Sequence, residues 1–170
     1  MSAIRPNLSC SAYDTPGYAY GVSVAGSLAY VAALEAGLQI IDVSDPAKPT
    51  LLGEYAMPGA AIDVSVVGSL AYVADGKSGL QIIDISNPAN PFLLGEYDTP
   101  RLPLGVSVVG NLAFVADGSS GLQIVDVSDP SNPILRGAYD TPGESADVSA
   151  VGDLVYLTAR EGGLLILRIH

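Results

Sequence analysis

Asp63 and Asp147 lie 84 residues apart in near-identical surroundings, "DVSVVG" (63–68) and "DVSAVG" (147–152). Midway in this spacing the same stretch begins with glycine instead, "GVSVAG" at Gly21 and "GVSVVG" at Gly105. Carboxylates gathered around one axis offer the oxygen ligands that Ca²⁺ or a hydrated cation requires. The same carboxylates can instead accept hydrogen bonds from nearby backbone N–H groups. A pair of acids is also the equipment of glycoside hydrolysis, and no other two acids stand apart from their surroundings here.

Other reactive residues point away from catalysis. His170 is the only histidine and the last residue, so neither a His-based triad nor a His metal cluster can be assembled. Cys10 is the only cysteine, which excludes an intrachain disulfide and reads as a packed or half-exposed thiol. No phosphate-binding glycine motif is present. Asp75-Gly76 and Asp117-Gly118 resemble the start of a calcium loop but lack its further acidic positions, so they read as hairpin turns. Asp42, Asp84 and Asp126 each stand before a "VSDP" or "ISNP" turn and read as braces for it. The chain is expected not to be an enzyme.

All these acids sit at fixed places in a repeat. "GLQIIDVSDPAKP" starts at Gly37, "GLQIIDISNPANP" at Gly79 and "GLQIVDVSDPSNP" at Gly121. The period is 42 residues, and Tyr13, Tyr55, Tyr97 and Tyr139 keep the same register, as do Gly26, Gly68, Gly110 and Gly152. Each copy reads as four short strands. In the third copy they are "GVSVVG", "LAFVAD", "LQIVDVS" and "ILRGAY", separated by Gly-Asn, "GSSG" and "DPSNP" turns. No window has the apolar period of a capped helix. Four antiparallel strands per 42 residues predict an all-β propeller with one blade per copy. Blades stack face to face, which accounts for 49% apolar and only 15% charged residues.

Net charge is −11, with seven scattered Lys and Arg, so nucleic acid and anionic membranes are not expected partners. No apolar run reaches the length of a helical membrane span. The N-terminal residues lack the apolar stretch of a signal peptide.

"GLQIIDVSDPAKP", with "AYVADG" before it and "GEYDTPG" after it, resembles the LVIVD-repeat family over essentially the whole chain. That resemblance implies a β-propeller without a general enzymatic activity, found in secreted or cell-surface proteins. The last copy departs from the pattern: Leu165 replaces Gln39, Gln81 and Gln123, and Arg168 replaces Asp42, Asp84 and Asp126.

The last copy also lacks a fourth strand, while "LSCSAYDTP" near the N-terminus matches "ILRGAYDTP" at 134–142. Residues 1–7 are therefore read as an extension and 8–170 as the propeller. Its copies span about 14–55, 56–97, 98–139, and 140–170 completed by 8–13. Two closures fit: eight blades in a homodimer, the preferred reading, or a four-bladed monomer.

Between copies the strands stay constant and two loops vary. One precedes the first strand and the other joins the second to the third, so both emerge on one face of the ring. Loops on a rigid scaffold are where binding residues gather. The expected ligand-binding face carries Tyr18, Tyr20, Glu35, Lys77, Arg101, Leu102, Leu104, Glu144, Arg160 and Glu161. Asp63 and Asp147 stand at the channel mouth as the candidate ligands for Ca²⁺ or another cation on the axis, with no other cofactor expected. The favoured function is a scaffold or interaction module for a protein or glycan partner. The alternatives are a self-assembling half-propeller without a ligand and a glycan hydrolase using the channel-mouth carboxylates.

Overall fold

The computed structural model describes residues 11–170. Its strands form four antiparallel sheets in sequence order. Blade one holds β1 (Gly21–Ala25), β2 (Leu28–Ala32), β3 (Leu38–Asp42) and β4 (Thr50–Tyr55). Blade two holds β5 (Ala61–Val67), β6 (Leu70–Asp75), β7 (Leu80–Asp84) and β8 (Phe92–Tyr97). Blade three holds β9 (Gly105–Val109), β10 (Leu112–Ala116), β11 (Leu122–Asp126) and β12 (Ile134–Tyr139). Blade four has three strands, β13 (Ser145–Val151), β14 (Leu154–Ala159) and β15 (Gly163–Arg168). The one helical element among the described residues is a single 3₁₀ turn, Gly76–Ser78.

Each sheet is a meander, because tight turns join consecutive strands and leave no crossover. The first strands line the axis: β5 packs against β1 and β9, and β13 packs against β9. A register shift recurs in every complete blade between its third and fourth strands, at Ile40/Ile41, Ile82/Ile83 and Ile124/Val125. Such bulges add twist to an outer edge.

The core lies between blades rather than within one. Tyr30, Leu38 and Ile40 of blade one meet Val64, Val73 and Ile83 of blade two. Tyr72, Leu80 and Ile82 of blade two meet Val106, Val115 and Val125 of blade three. Phe114 and Leu122 of blade three meet Val148, Val155 and Leu157 of blade four. Strands buried on both faces must be apolar at successive positions, as "LAYVA" and "LQIID" are.

Blades alternate in kind. In blades two and four the first strand has seven residues and a register shift, Ala61/Asp63 and Ser145/Asp147; in blades one and three it has five and none. The boundaries alternate too. From blade one to two, Leu34 bridges to Ala61 and Ser23 Oγ accepts the Val66 N–H (3.3 Å). From three to four, Gly118 bridges to Ser145 and Ser107 Oγ accepts the Ala150 N–H (3.0 Å). From two to three the link is Asp63 Oδ2, which accepts the Val106 N–H (2.9 Å).

The arc has two open ends. Val22 of β1 is 65% exposed, whereas Val64, Val106 and Val148 at the same blade position are 4%, 4% and 6% exposed. At the other end Leu164 is 60% exposed, whereas its equivalents Leu38, Leu80 and Leu122 are fully buried. Val24 and Ile166 are exposed in the same way.

The expected fourth strand at 8–13 falls partly outside the described residues, which exclude 8–10. Residues 11–13 form no strand, and blade four remains three-stranded within this chain. They nonetheless hold an outer-strand position. Gly53 abuts Pro88 of the following blade and Gly95 abuts Pro130. Ser11, in the same register, donates its hydroxyl to the Pro46 carbonyl. Tyr13 packs beside Ala29, Val31 and Ile41 on the open side of blade one, as Tyr97 packs beside Ala113, Val115 and Val125. Residues 11–13 thus lie where the blade preceding blade one would carry its outer strand.

Candidate functional site

The alternation of glycine and aspartate at the axis has a steric cause. A Cβ on Gly21 would lie 2.7 Å from the Asp63 Oδ1, and one on Gly105 would lie 2.9 Å from the Asp147 Oδ1. The bulges beginning β5 and β13 turn these carboxylates over the preceding blade, and only glycine leaves room beneath them. Asp63 then reaches forward to the Val106 N–H, so it joins three blades. Burial pushes its carboxyl above the usual range, against the hydrogen bonds from Val106 and Val64, and the negative charge of Asp147 adds to the rise. Asp147 is exposed, and its carboxylate accepts the N–H of its neighbour Val148 (2.8 Å). Among the described residues no three of His, Cys, Asp and Glu are grouped to hold a metal ion. A cation on the axis would need its further ligands from a second copy.

Two acids read as simple turn residues have a larger part. Asp75 and Asp117 are fully buried. Asp75 Oδ2 accepts the Gly59 N–H (3.0 Å) and Asp117 Oδ2 accepts the Arg101 N–H (3.0 Å). Each carboxylate therefore clamps the loop entering its blade to the loop between second and third strands. Burial raises both carboxyl pKa values, opposed by these backbone hydrogen bonds. Gln39, Gln81 and Gln123 hold the same loop from below, donating Nε2 to Ala36, Ser78 and Ser120 carbonyls at 2.8, 2.7 and 2.9 Å. The signal was present in the repeat: Gln at three copies and Leu165 in the last, Asp in the middle blades and Ala33 and Ala159 at the ends.

Asp42, Asp84 and Asp126 brace their turns as expected, each accepting the N–H two residues on, from Ser44, Ser86 and Ser128 at 2.8, 2.8 and 3.0 Å. Hydrogen bonds from those serines hold all three carboxyls below the usual range.

The variable loops share one face of the arc, since the clamps and the Leu34–Ala61 and Gly118–Ser145 bridges join them directly. Tyr18 and Tyr20 are 74% and 68% exposed there. Glu35, Lys77, Arg101, Leu102, Glu144, Arg160 and Glu161 are also exposed, and Leu104 is half-buried. Two shallow grooves run between blades on this face. One of about 400 Å³, between blades two and three, is lined by Pro58, Ala60, Ile62, Lys77 and Leu102. The other, about 340 Å³, lies between blades three and four and is lined by Arg101, Leu102, Leu104, Glu144 and Arg160. Arg160 pairs with Glu144 at 2.9 Å. Tyr18, Tyr20, Glu35 and Glu161 line neither groove.

The fold is shared with solved structures. The computationally designed Ika4 protein superposes with a TM-score of 0.77 at 9% identity, over 94% of this chain and 96% of that one. The computationally designed Ika8 protein superposes at 0.73 and 9% identity, over 89% of this chain and 46% of that one. A functionally unknown protein from Desulfotomaculum acetoxidans superposes at 0.71 and 16% identity, over 88% and 55%. This chain thus spans about half the length of the last two. No curated protein matches the sequence. A family model described as LVIVD repeat matches four times, at residues 16–57, 58–99, 104–141 and 142–169.

Proposed function

The chain belongs to the LVIVD-repeat family, and we propose that it is a non-enzymatic scaffold, a half-propeller that closes with a second copy into an eight-bladed ring. The loop face is then the surface offered to a protein or glycan partner. One observation carries the ring: Val22 is 65% exposed where its three equivalents are nearly buried. Blade one presents Val22 and Val24, both exposed at its inner edge, while Ala29, Val31 and Ile41 on the same side are buried with Tyr13 packed against them. Blade four presents Leu164 and Ile166, the residues that make the other half elsewhere. Apolar faces of this extent are normally covered.

The register of 11–13 supports the same closure. Blade four is one strand short, and Ser11 and Tyr13 stand where an outer strand of a preceding blade belongs. Blade alternation fits closure into a ring of either size, because an Asp-type blade four would meet a Gly-type blade one, as blades two and three meet.

Light scattering across a dilution series tests the ring. The expected mass is twice 17.3 kDa and stable to dilution. A mass of one chain at all concentrations would overturn the eight-bladed reading and favour closure of four blades on themselves.

A further inference from the structure

Ring closure reproduces an existing boundary. The link from blade four to the next copy's blade one is of the same kind as the link from blade two to blade three, shifted by two copies of the repeat. The groove of about 400 Å³ on the loop face lies at that internal boundary. Its counterpart is absent from a single chain because its walls belong to opposite ends. Shifting the register sends Pro58 to Pro142, Gly59 to Gly143, Ala60 to Glu144, Ile62 to Ala146, Gly76 to Arg160 and Lys77 to Glu161, with the new Glu144 and Arg160 paired to one another. Leu102 is sent to Tyr18, on the second copy.

We propose that closure builds two identical pockets on the loop face, each walled by Tyr18 of one copy and Pro142, Ala146 and Glu161 of the other, that bind a cationic side chain of a protein partner. The inference rests on the eight-bladed ring proposed above. Two substitutions set the chemistry. An exposed tyrosine ring replaces leucine, and a carboxylate replaces the lysine ammonium. An aromatic face beside a carboxylate is suited to a lysine, a methylated lysine or another ammonium group.

The local charges agree. Arg160 is neutralised by Glu144 at 2.9 Å. Glu161 makes no salt bridge among the described residues. Its carboxylate folds over the 142–144 loop, where a Cβ on Gly143 would lie 3.1 Å from Oε2. Asp63 and Asp147 stand at the channel mouth on the same face. With −11 per chain, the ring draws cations towards it.

The test uses choline as the probe and 3,3-dimethylbutan-1-ol, its neutral carbon isostere, as the control. Both are titrated into the full chain by calorimetry, with the mass of each sample measured in parallel. The expected result is a dimer that binds two choline molecules, about tenfold more weakly after Tyr18→Ala or Glu161→Gln. Those variants should keep the dimer mass. Val67→Ala, at the end of β5 away from the loop face, should leave choline binding unchanged. A dimer that binds no choline, or binds the isostere equally, overturns the pocket but leaves the ring standing. Choline binding by a Val22→Asp chain that is folded and monomeric would also overturn it, since the site would then not be shared. A monomeric wild-type chain overturns the ring and the pocket together.

Discussion

The carboxylate of Asp63 accepts the backbone N–H of Val106 at 2.9 Å, across the boundary between blades two and three. A side chain from one blade thereby satisfies the inner strand of the next. The contact depends on the glycine of the preceding blade, because a Cβ on Gly21 would crowd Asp63 Oδ1.

Asp63→Ala leaves the Val106 N–H without that acceptor. A buried, unpaired N–H costs about 1–3 kcal/mol, and Val106 is 4% exposed. Chemical denaturation should show a loss of that size. Asp147→Ala removes only the contact with its own neighbour Val148, so it should cost a single chain less than Asp63→Ala and weaken the association of two, read by sedimentation over a range of concentrations. Equal effects of the two substitutions on a monomeric sample would contradict the repeat logic.

Leu80 and Leu164 occupy one repeat position, the first fully buried and the second 60% exposed. Leu80→Ala should cost about 2–5 kcal/mol at any protein concentration. The cost of Leu164→Ala should grow with concentration, because the leucine is buried only when a second blade covers it. Melting temperatures at two concentrations a hundredfold apart distinguish the cases.

Asp75 and Asp117 have raised carboxyl pKa values because burial disfavours their charge. A raised folded-state value means the folded protein binds the proton more tightly than the unfolded chain. Their contribution to stability is therefore full below the unfolded value near 3.8 and is lost as pH rises through the folded value. Asp75→Asn keeps an acceptor for the Gly59 N–H and removes the charge. The variant should gain on wild type at pH 7, and the gain should shrink on acidification. Urea midpoints at pH 7 and pH 4.5 check the sign; a gain independent of pH would remove burial of charge as its cause.

The turn braces have the opposite sign. Asp42, Asp84 and Asp126 are held below the usual range by their serine hydrogen bonds. Their support is present above the unfolded value near 3.8 and fades as pH falls through the folded values. Asp84→Ala should speed hydrogen exchange of the Ser86 N–H several-fold while amides of β6 keep their protection. Unchanged exchange at Ser86 would mean that the turn is held without the Asp84 carboxylate.

Much of the fold was legible because a blade is a local object. Glycine at 26, 68, 110 and 152 marks each first hairpin, and "DPxxP" or "NPxxP" marks the outer turn of the three complete copies, within a few residues of the strands they join. The bracing role of Asp42, Asp84 and Asp126 was legible for the same reason, since donor and acceptor are two residues apart. Asp75 and Asp117 were not. Their acceptor function links residues 16 apart, and only folding brings the entry loop over the second turn. The loop-face residues lie on one face, but they divide among two grooves, a solvent-exposed rim and an open end.

The residue order sets the blade: its period, its strands, its apolar faces and the alternation of Gly and Asp every second copy. These follow from turn chemistry and from the need of a stacked sheet to be apolar on both sides. That the four blades form an open arc, with Val22 and Leu164 at uncovered ends, emerges from the packing of one blade on the next. Repeat periodicity is blind to that difference. The angle between neighbouring blades is set by how side chains pack at the axis relative to the rim, as where Asp63 sits above Gly21 and bonds to Val106, and that packing exists only between residues of different copies.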